Sequence, residues 1–197
     1  MRIGVFGGTF DPVHVGHLIL ANESASQLIL DKVLWIVTAD PPHKDERVSL
    51  VEDRLAMVAI AIDDDPLFEI SRIEIDRPGP HLAVDTIRLL HELYPRDTLV
   101  YLMGGDSLEQ LPSWYQPEEF LAVCDEIGVL RRPGHQINMK ALEEALQGLI
   151  AKVRFIDSPL IDISSTQLKA AIAAGKPFRY SLPPDVYRYI LEHNLYR

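Results

Sequence analysis

The sequence has too few cysteines to form a disulfide or a cysteine-rich metal site. Among its 197 residues there is one cysteine, Cys124. A single thiol has no partner within the chain, and a zinc site with several cysteine ligands cannot be built from it. Disulfides are also rare in the reducing cytosol. The cysteine count therefore fits a cytoplasmic protein.

Long apolar segments are missing as well. The longest apolar run, at residues 55–62, is far shorter than the ~20 residues that a membrane-spanning helix needs. The chain turns Gly-rich after residue 6, with no apolar stretch followed by a cleavage site of small residues. We therefore expect no signal peptide and no membrane partner.

Positive charge is scarce. The chain has 19 Lys and Arg residues against 29 Asp and Glu residues, which gives a formal net charge of −10. Nucleic-acid binding depends on a basic surface and on aromatic side chains, which make up 8% of this chain. The composition thus argues against an RNA-binding module and against nucleic acid as a partner. If the ligands are anions, the few cations must be gathered in one cleft.

Short β-type apolar runs alternate with helical patterns, which is typical of a parallel α/β sheet. We predict strands at residues 3–6, 33–37, 68–75, 99–103, 127–130 and 153–156. We predict helices at residues 16–30, 50–62, 81–94, 139–150, 164–174 and 185–193. Without a linker or repeat, residues 1–197 are expected to form one domain. The predicted fold is a Rossmann-like, doubly wound, mostly parallel sheet with helices on both faces and a small C-terminal helical cap.

The first predicted strand runs into a Gly-rich turn with two histidines. The turn reads Gly7-Gly8-Thr9-Phe10-Asp11-Pro12-Val13-His14-Val15-Gly16-His17. Glycines after a buried strand let the backbone turn sharply, and N–H groups at the next helix N-terminus can bind anions. Taken singly, His14 caps a turn and His17 begins an ordinary helix, and a zinc site would need further ligands. Because both flank Gly16 directly after a strand, they favour a phosphate site.

A second segment of this kind lies further along the chain. It reads Ile163-Ser164-Ser165-Thr166-Gln167-Leu168-Lys169. Hydroxyl side chains at a helix start cap free N–H groups, and the same groups can bind a phosphate. Lys169 lies one turn further and can reach the same oxygens. Alone, the segment is a plain capped helix; together with the first motif, it predicts a second wall of one phosphate site.

These two motifs resemble the two signatures of the nucleotidylyltransferase superfamily that carries the H-x-G-H form of the "HIGH" motif. Lys169 stands where the second signature usually has Arg. Along its whole length the chain resembles the bacterial nicotinate mononucleotide adenylyltransferases. Further matching segments are Pro41-Pro42-His43-Lys44, Gly104-Gly105-Asp106-Ser107, Pro112-Ser113-Trp114-Tyr115, Arg131-Arg132-Pro133-Gly134 and Asn194-Leu195-Tyr196-Arg197.

The resemblance implies three groups of site residues. The catalytic residues would be His14, His17 and Lys169. The ATP-binding residues would be Gly7, Gly8, Thr9, Phe10, Gly104, Asp106, Ser107, Arg132, Ser164, Ser165 and Thr166. The mononucleotide-binding residues would be Asp11, His43, Lys44, Thr86 and Trp114. From the residues alone, Trp114 is also compatible with core packing, and Lys44 with a solvated loop charge.

The resemblance also implies an activity: transfer of the adenylyl group of ATP to nicotinate mononucleotide, with release of pyrophosphate, in NAD biosynthesis. Mg²⁺ would arrive on the ATP phosphates, so we expect no dedicated metal site and no tightly bound organic cofactor. The family usually has Ser-Tyr-Thr where this chain has His81-Leu82-Ala83. This difference leaves open whether the preferred acceptor is nicotinate or nicotinamide mononucleotide.

Three other interpretations of the same motifs remain open. The acceptor could be nicotinamide mononucleotide or another phosphorylated molecule such as phosphopantetheine. A non-catalytic nucleotide-binding sensor would carry similar phosphate-binding segments. The oligomeric state is open too, and a homo-oligomer is compatible with the sequence.

Overall fold

The computed structural model describes residues 1–40, 48–131, 136–159 and 161–197. Within these ranges the strands are β1 (Arg2–Gly8), β2 (Lys32–Val37), β3 (Phe68–Ser71), β4 (Thr98–Gly104), β5 (Glu126–Arg131) and β6 (Val153–Asp157). They form one sheet in the order β3-β2-β1-β4-β5-β6, and every neighbouring pair is parallel. The predicted parallel α/β sheet is confirmed.

Helices connect the strands. In the described ranges they are α1 (Val15–Leu28), α2 (Val51–Ile62), α3 (Ala83–Leu93), α4 (Gly105–Gln110), α5 (Pro117–Val123), α6 (Met139–Ala145), α7 (Leu149–Lys152), α8 (Ser165–Ala173) and α9 (Pro184–Glu192). Short 3₁₀ turns occupy Leu111–Ser113 and Arg179–Ser181. The helices α8 and α9 correspond to the predicted C-terminal helical cap. Among the helices of the described ranges, none is both long enough and apolar enough to cross a membrane.

Two hydrophobic cores lie on opposite faces of the sheet, because successive side chains of a strand point to opposite sides. On one face, Trp35 of β2 shares a core with Met57 of α2 and Ile190 of α9. On the other face, its neighbour Leu34 shares a core with Ile87 of α3. All five side chains are almost fully buried. The prediction of helices on both faces is therefore confirmed.

The order of the strands reverses at the centre of the sheet. After β1 the chain builds outward through β2 to β3, and it then returns to the other side of β1 with β4. In open parallel sheets such a reversal opens a crevice at the carboxyl ends of the two central strands. Helix α1 packs closely on the sheet, since a Cβ on Gly128 of β5 would come within 2.8 Å of Leu28.

Most predicted bounds lie within one or two residues of those in the structure, and three departures have an evident physical reason. The first helix stops at Leu28, because Ile29 adopts a left-handed conformation with φ of 52°. The third strand stops at Ser71, and the chain turns with the Asp76 N–H bonded to the Arg72 carbonyl at 2.9 Å. The predicted helix at residues 139–150 is two helices, because Gly148 has φ of +90°.

The two short helices between β4 and β5 were absent from the sequence prediction. Helix α4 has six residues and α5 has seven, so neither displays enough turns for a clear helical period. Pro117 at the start of α5 is a helix-start signal that could have revealed it. Helix α4 begins directly after Gly104, at the carboxyl end of β4.

Candidate active site

The loop after β1 packs back against the core. Phe10 adopts φ of 49°, a left-handed conformation uncommon outside glycine. Its ring centroid lies 5.6 Å from that of Phe6 and 5.2 Å from that of Trp35. A Cβ on Gly8 would come within 2.8 Å of the Phe10 ring. Gly8 is therefore required by this close approach, and Phe10 supplies an apolar wall.

His14 and His17 are stacked at the N-terminus of α1. Their ring centroids are 3.7 Å apart, with 24° between the ring planes. The His14 backbone N–H donates to Nδ1 of His17 at 3.2 Å, so the two residues fix each other's position. A Cβ on Gly16 would lie 3.0 Å from Nδ1 of His14. The spacing H-x-G-H thus places two imidazoles side by side where the helix begins.

The His14 side chain is buried and held neutral. It is 5% exposed, and burial lowers its pKa to about 4. Within the described part of the chain, its Nδ1 has no hydrogen-bond partner. A neutral imidazole carries one N–H donor and one acceptor nitrogen. At neutral pH His14 can therefore offer a ligand a hydrogen bond but no positive charge.

The two sequence motifs meet through two direct contacts. The Ser165 hydroxyl donates to the Pro12 carbonyl at 2.9 Å. The Lys169 ammonium lies 3.3 Å from Oδ2 of Asp11. These contacts join residues more than 150 positions apart in sequence. The start of α8 therefore lies beside the loop that leads into α1, as the paired motifs predict.

The start of α8 is capped as the sequence indicates. The Ser164 hydroxyl accepts the Gln167 N–H at 3.2 Å. Thr166, in the first turn, is exposed. Ser164 is thus occupied as the N-cap, whereas the Thr166 hydroxyl stays accessible to a ligand.

Asp11 is the buried centre of the contact between the motifs. Its side chain has 0% exposure and accepts the Tyr196 hydroxyl at 2.7 Å, the Lys169 ammonium at 3.3 Å and the Ser49 N–H at 3.4 Å. Burial would raise the pKa of Asp11, but the bonds from Tyr196 and Ser49 and the charge of Lys169 lower it below its ordinary value. Asp11 is therefore a buried carboxylate that holds the two segments together.

A cavity of about 240 Å³ opens at the carboxyl ends of the central strands. The predicted site residues that line it are Gly7, Gly8, Phe10, His14, His17 and Gly104. The other lining residues are not among the predicted catalytic and binding residues; they are Phe6, Gly16, Leu20, Leu130, Arg131, Ser158, Pro159, Ile161 and Ile163. The wall is part apolar, and the paired histidines and the turn glycines form its polar end.

Arg131 is the cation among those additional lining residues. Its guanidinium bonds Oδ1 of Asp157 at 2.6 Å and lies 4.9 Å from the ring centroid of Phe155. It stands at the end of β5, next but one to β1 in the sheet. Arg131 could have been predicted as a site residue from its position at the carboxyl end of a strand, since such ends converge on the crevice.

Three predicted residues between β4 and β5 stand outside the lining of this cavity. Asp106 is exposed in the first turn of α4, and Ser107 follows it, half-buried. Trp114 is half-buried, with its ring centroid 6.2 Å from that of Tyr101 and 5.4 Å from that of Phe120. The Trp114 ring therefore packs partly against the core, as the core-packing alternative predicts, and stays partly exposed.

The hydroxyl of Thr86 is occupied within the protein. It donates to Oε1 of Glu74 at 2.9 Å and accepts from Arg77 at 3.3 Å. Thr86 is 2% exposed, and Glu74 is buried as well. Burial raises the pKa of Glu74, against the opposing effects of the Thr86 hydrogen bond and the Arg77 charge. Thr86 therefore stabilises the start of α3 in the described structure.

Three further predicted residues, His43, Lys44 and Arg132, lie outside the described residues. Their roles, like those of the other predicted site residues, stay predictions from the resemblance. Thr9 lies within the described loop after β1 and is half-buried.

Arg54 of α2 is a structural residue that the sequence analysis missed. It is 1% exposed and donates to the carbonyls of Thr9 at 2.9 Å, Thr38 at 2.7 Å and Ala39 at 3.1 Å. It also donates to the Ser49 carbonyl at 3.1 Å. One guanidinium thus ties the loop after β1 to the loop after β2. The burial of Arg54 could have been predicted from the sequence, because it is a lone charge on the apolar helix face that buries Met57, Val58 and Ala61.

No group of three or more His, Cys, Asp or Glu side chains suited to a metal ion occurs in the described ranges. The polar groups at the cavity are histidines, hydroxyls, backbone N–H groups and cations, which are ligands for anions. Such a donor set suits a metal that arrives already bound to a phosphate.

The fold and its paired motifs define an α/β nucleotidyltransferase. A family model described as cytidylyltransferase-like matches residues 5–171. A probable nicotinate-nucleotide adenylyltransferase of Roseiflexus sp. (strain RS-1) is 43% identical over 196 residues, covering 99% of this chain and 98% of the relative. One of Thermus thermophilus is 40% identical over 197 residues, covering 100% of both chains. The chain belongs to the cytidylyltransferase-like family and, within it, to the nicotinate-nucleotide adenylyltransferases.

A solved structure supports the fold. The Plasmodium falciparum nicotinic acid mononucleotide adenylyltransferase complexed with NaAD aligns with a TM-score of 0.80, covering 99% of this chain and 97% of that chain. The two sequences are 18% identical, so this likeness concerns the fold alone.

Proposed function

We propose that this protein transfers the adenylyl group of ATP to nicotinate mononucleotide and releases pyrophosphate, a step of NAD biosynthesis. One observation carries the proposal. The H-x-G-H loop and the start of α8 meet through the Ser165–Pro12 and Lys169–Asp11 contacts, beside a cavity at the strand reversal. The relatives that share the whole length of the chain are named for this acceptor.

ATP would occupy the crevice between the two segments. Its adenosine part would lie against the apolar wall near Leu130, at the end of β5, and Ile161, which follows β6. Its triphosphate would lie between His14 and His17 on one side and the start of α8 on the other. The first turn of α8 offers free backbone N–H groups and a partial positive charge, which stabilise a phosphate. Lys169 would neutralise the departing pyrophosphate.

The chemistry is an in-line displacement at the α-phosphate. The acceptor's phosphate is already ionised at neutral pH, so the enzyme needs no general base. Catalysis then depends on aligning the two substrates and on stabilising charge at the reacting phosphate. Because the pKa of His14 is about 4, this residue acts as a neutral hydrogen-bond donor. The substrate is Mg²⁺–ATP, and the ion adds charge neutralisation at the phosphates.

The acceptor would lie on the side of α3, α4 and Trp114. A half-buried indole beside a strand end can stack on a cationic pyridine ring, a contact of roughly 0.5–2 kcal/mol. At the start of α3 the side chains of Leu82 and Ala83 offer no hydroxyl. A carboxylate there would be bound by backbone N–H groups at the helix N-terminus. His43 and Lys44 remain the predicted contacts of the acceptor's phosphate.

The test is steady-state kinetics with Mg²⁺–ATP and a panel of acceptors: nicotinate mononucleotide, nicotinamide mononucleotide and phosphopantetheine. Pyrophosphate release should be fastest with nicotinate mononucleotide. Faster release with either of the other acceptors would reassign the substrate, and ATP binding without turnover would favour the nucleotide sensor. The cytoplasmic location, the single domain and a homo-oligomer stay predictions.

A further inference from the structure

Tyr196 lies far from both signature motifs in sequence, yet its hydroxyl reaches the first of them. It donates to Oδ1 of Asp11 at 2.7 Å. The other oxygen, Oδ2, takes the Lys169 ammonium at 3.3 Å and the Ser49 N–H at 3.4 Å. The two carboxylate oxygens thus have different partners, Tyr196 on one side and Lys169 on the other.

The backbone around Tyr196 is held in an unfavourable conformation. Tyr196 has φ of 65° and Asn194 has φ of 50°, both in the left-handed region that favours glycine. Such conformations persist where the surrounding contacts determine them. The Leu195 N–H bonds the Ile190 carbonyl at 3.1 Å, and both Leu195 and Tyr196 pack against the first core. The segment after α9 is therefore fixed with the Tyr196 hydroxyl aimed at Asp11.

Among the described residues, three charged or titratable groups face the Asp11 carboxylate. They are Lys169 of α8, Tyr196 and Arg54 of α2, whose charge acts on both Asp11 and Tyr196. Burial raises the pKa of Tyr196, so its hydroxyl remains a donor at every physiological pH. Asp53 of α2 also faces Tyr196 and acts in the same direction. The polarity of the contact is therefore fixed: Tyr196 donates and the ionised Asp11 accepts.

We propose that Tyr196 is a positioning residue of the nucleotide site: by holding one oxygen of Asp11, it keeps the other oxygen available to fix the Lys169 ammonium beside the triphosphate. This inference rests on the proposed function, since it assigns Lys169 to the ATP phosphates. Without the hydroxyl, Oδ1 of a fully buried carboxylate loses its donor. Asp11 then rotates or takes up a proton, and Lys169 loses its fixed partner.

The variant Tyr196→Phe removes only the donating oxygen, and Tyr189→Phe is its matched control. The Tyr189 hydroxyl of α9 donates to Oδ1 of Asp53 at 2.9 Å, a similar bond to a carboxylate outside the two motifs. Tyr196→Phe should melt below the parent protein, because a fully buried carboxylate loses a donor, so binding is compared at a temperature at which both variants are folded. Tyr196→Phe alone should weaken binding of the α,β-methylene analogue of ATP on the order of tenfold. In the same variant the acidic limb of the binding profile should move to higher pH, because the pKa of Asp11 rises.

A double-mutant cycle tests whether Tyr196 acts through Asp11. In an Asp11→Asn background the charge of the Asp11 carboxylate is gone and Tyr196 can no longer act through it, so adding Tyr196→Phe should change analogue binding by less than about twofold. Additive losses would overturn the proposal, and so would equal losses in the two Tyr→Phe variants or an unmoved pH profile. Because calorimetric binding needs no turnover, this result is independent of the acceptor assay, whose failure would instead overturn the proposed function.

Discussion

The two sides of the crevice are built differently. On the ATP side, loops from distant parts of the chain are joined by hydrogen bonds, such as Ser165 to Pro12 and Tyr196 to Asp11. On the acceptor side, the polar groups at the start of α3 are tied to one another, Thr86 to Glu74 and Arg77 to Thr86. The first arrangement joins segments more than 150 positions apart in sequence, and the second ties together residues within the stretch 74–86. The predicted ATP side is therefore held together by contacts between distant segments, whereas the predicted acceptor side is held by contacts within one stretch of the chain.

The largest expected effect comes from a variant that removes the guanidinium joining the loops after β1 and β2. Arg54→Met removes a fully buried guanidinium and leaves the part-buried carbonyls of Thr9, Thr38 and Ala39 without this donor. We expect the free energy of unfolding to fall by about 3–5 kcal/mol, measured by urea denaturation. As a control, Arg88→Met on the exposed face of α3 breaks ion pairs with Asp85 and Glu119 and should cost about 0–1 kcal/mol. Similar losses in both variants would contradict the role of Arg54.

The second prediction concerns the histidine pair. His17→Ala removes the donor that is predicted to lie beside the α-phosphate, and it also removes the acceptor of the His14 N–H. Turnover should fall by about 10²–10³-fold with little change in the melting temperature. His193→Ala, an exposed histidine after α9, should leave turnover unchanged. Pyrophosphate release measures both, and undiminished turnover in His17→Ala would remove it from the reaction.

A third pair of variants contrasts the two sides directly. Thr86→Val on the acceptor side strips a donor from buried Glu74 and should lower stability by about 1–3 kcal/mol without weakening ATP-analogue binding. Thr166→Val, exposed at the start of α8, should change stability by less than about 0.5 kcal/mol but weaken analogue binding. Denaturation and calorimetry on both variants give four values. If both variants lower stability, or if both weaken analogue binding, the two sides do not differ in the predicted way.

The last prediction is a pH dependence of stability, which appears only below neutral pH. The pKa of His14 is about 4 in the folded protein, below its ordinary value of 6.5. The unfolded chain binds the proton more readily, so the contribution of His14 to stability is lost as pH falls from about 6.5 toward 4. His14→Asn should flatten this part of the curve of unfolding free energy against pH. Because the pKa of Asp11 is lowered too, its contribution disappears only at still lower pH. An unchanged curve in His14→Asn would show that His14 titrates normally.

The sequence predicted the sheet and its two helical faces because strands and helices have different apolar periods, which β1, α1 and β2 display clearly. It also predicted which segments meet, since the ends of parallel strands converge at one edge of the sheet. It could not predict the partners of Asp11 and Arg54, because hydrogen bonds between loops leave no periodic pattern. The short helices α4 and α5 escaped for a related reason, as six or seven residues carry too little of a period.

The most direct test of the paired-motif site is a crystal structure with the α,β-methylene analogue of ATP and Mg²⁺. The triphosphate should lie between the His14–His17 pair and the start of α8, within hydrogen-bond distance of His17 and Lys169. A triphosphate bound elsewhere, or bound with α8 displaced from Pro12, would contradict the site.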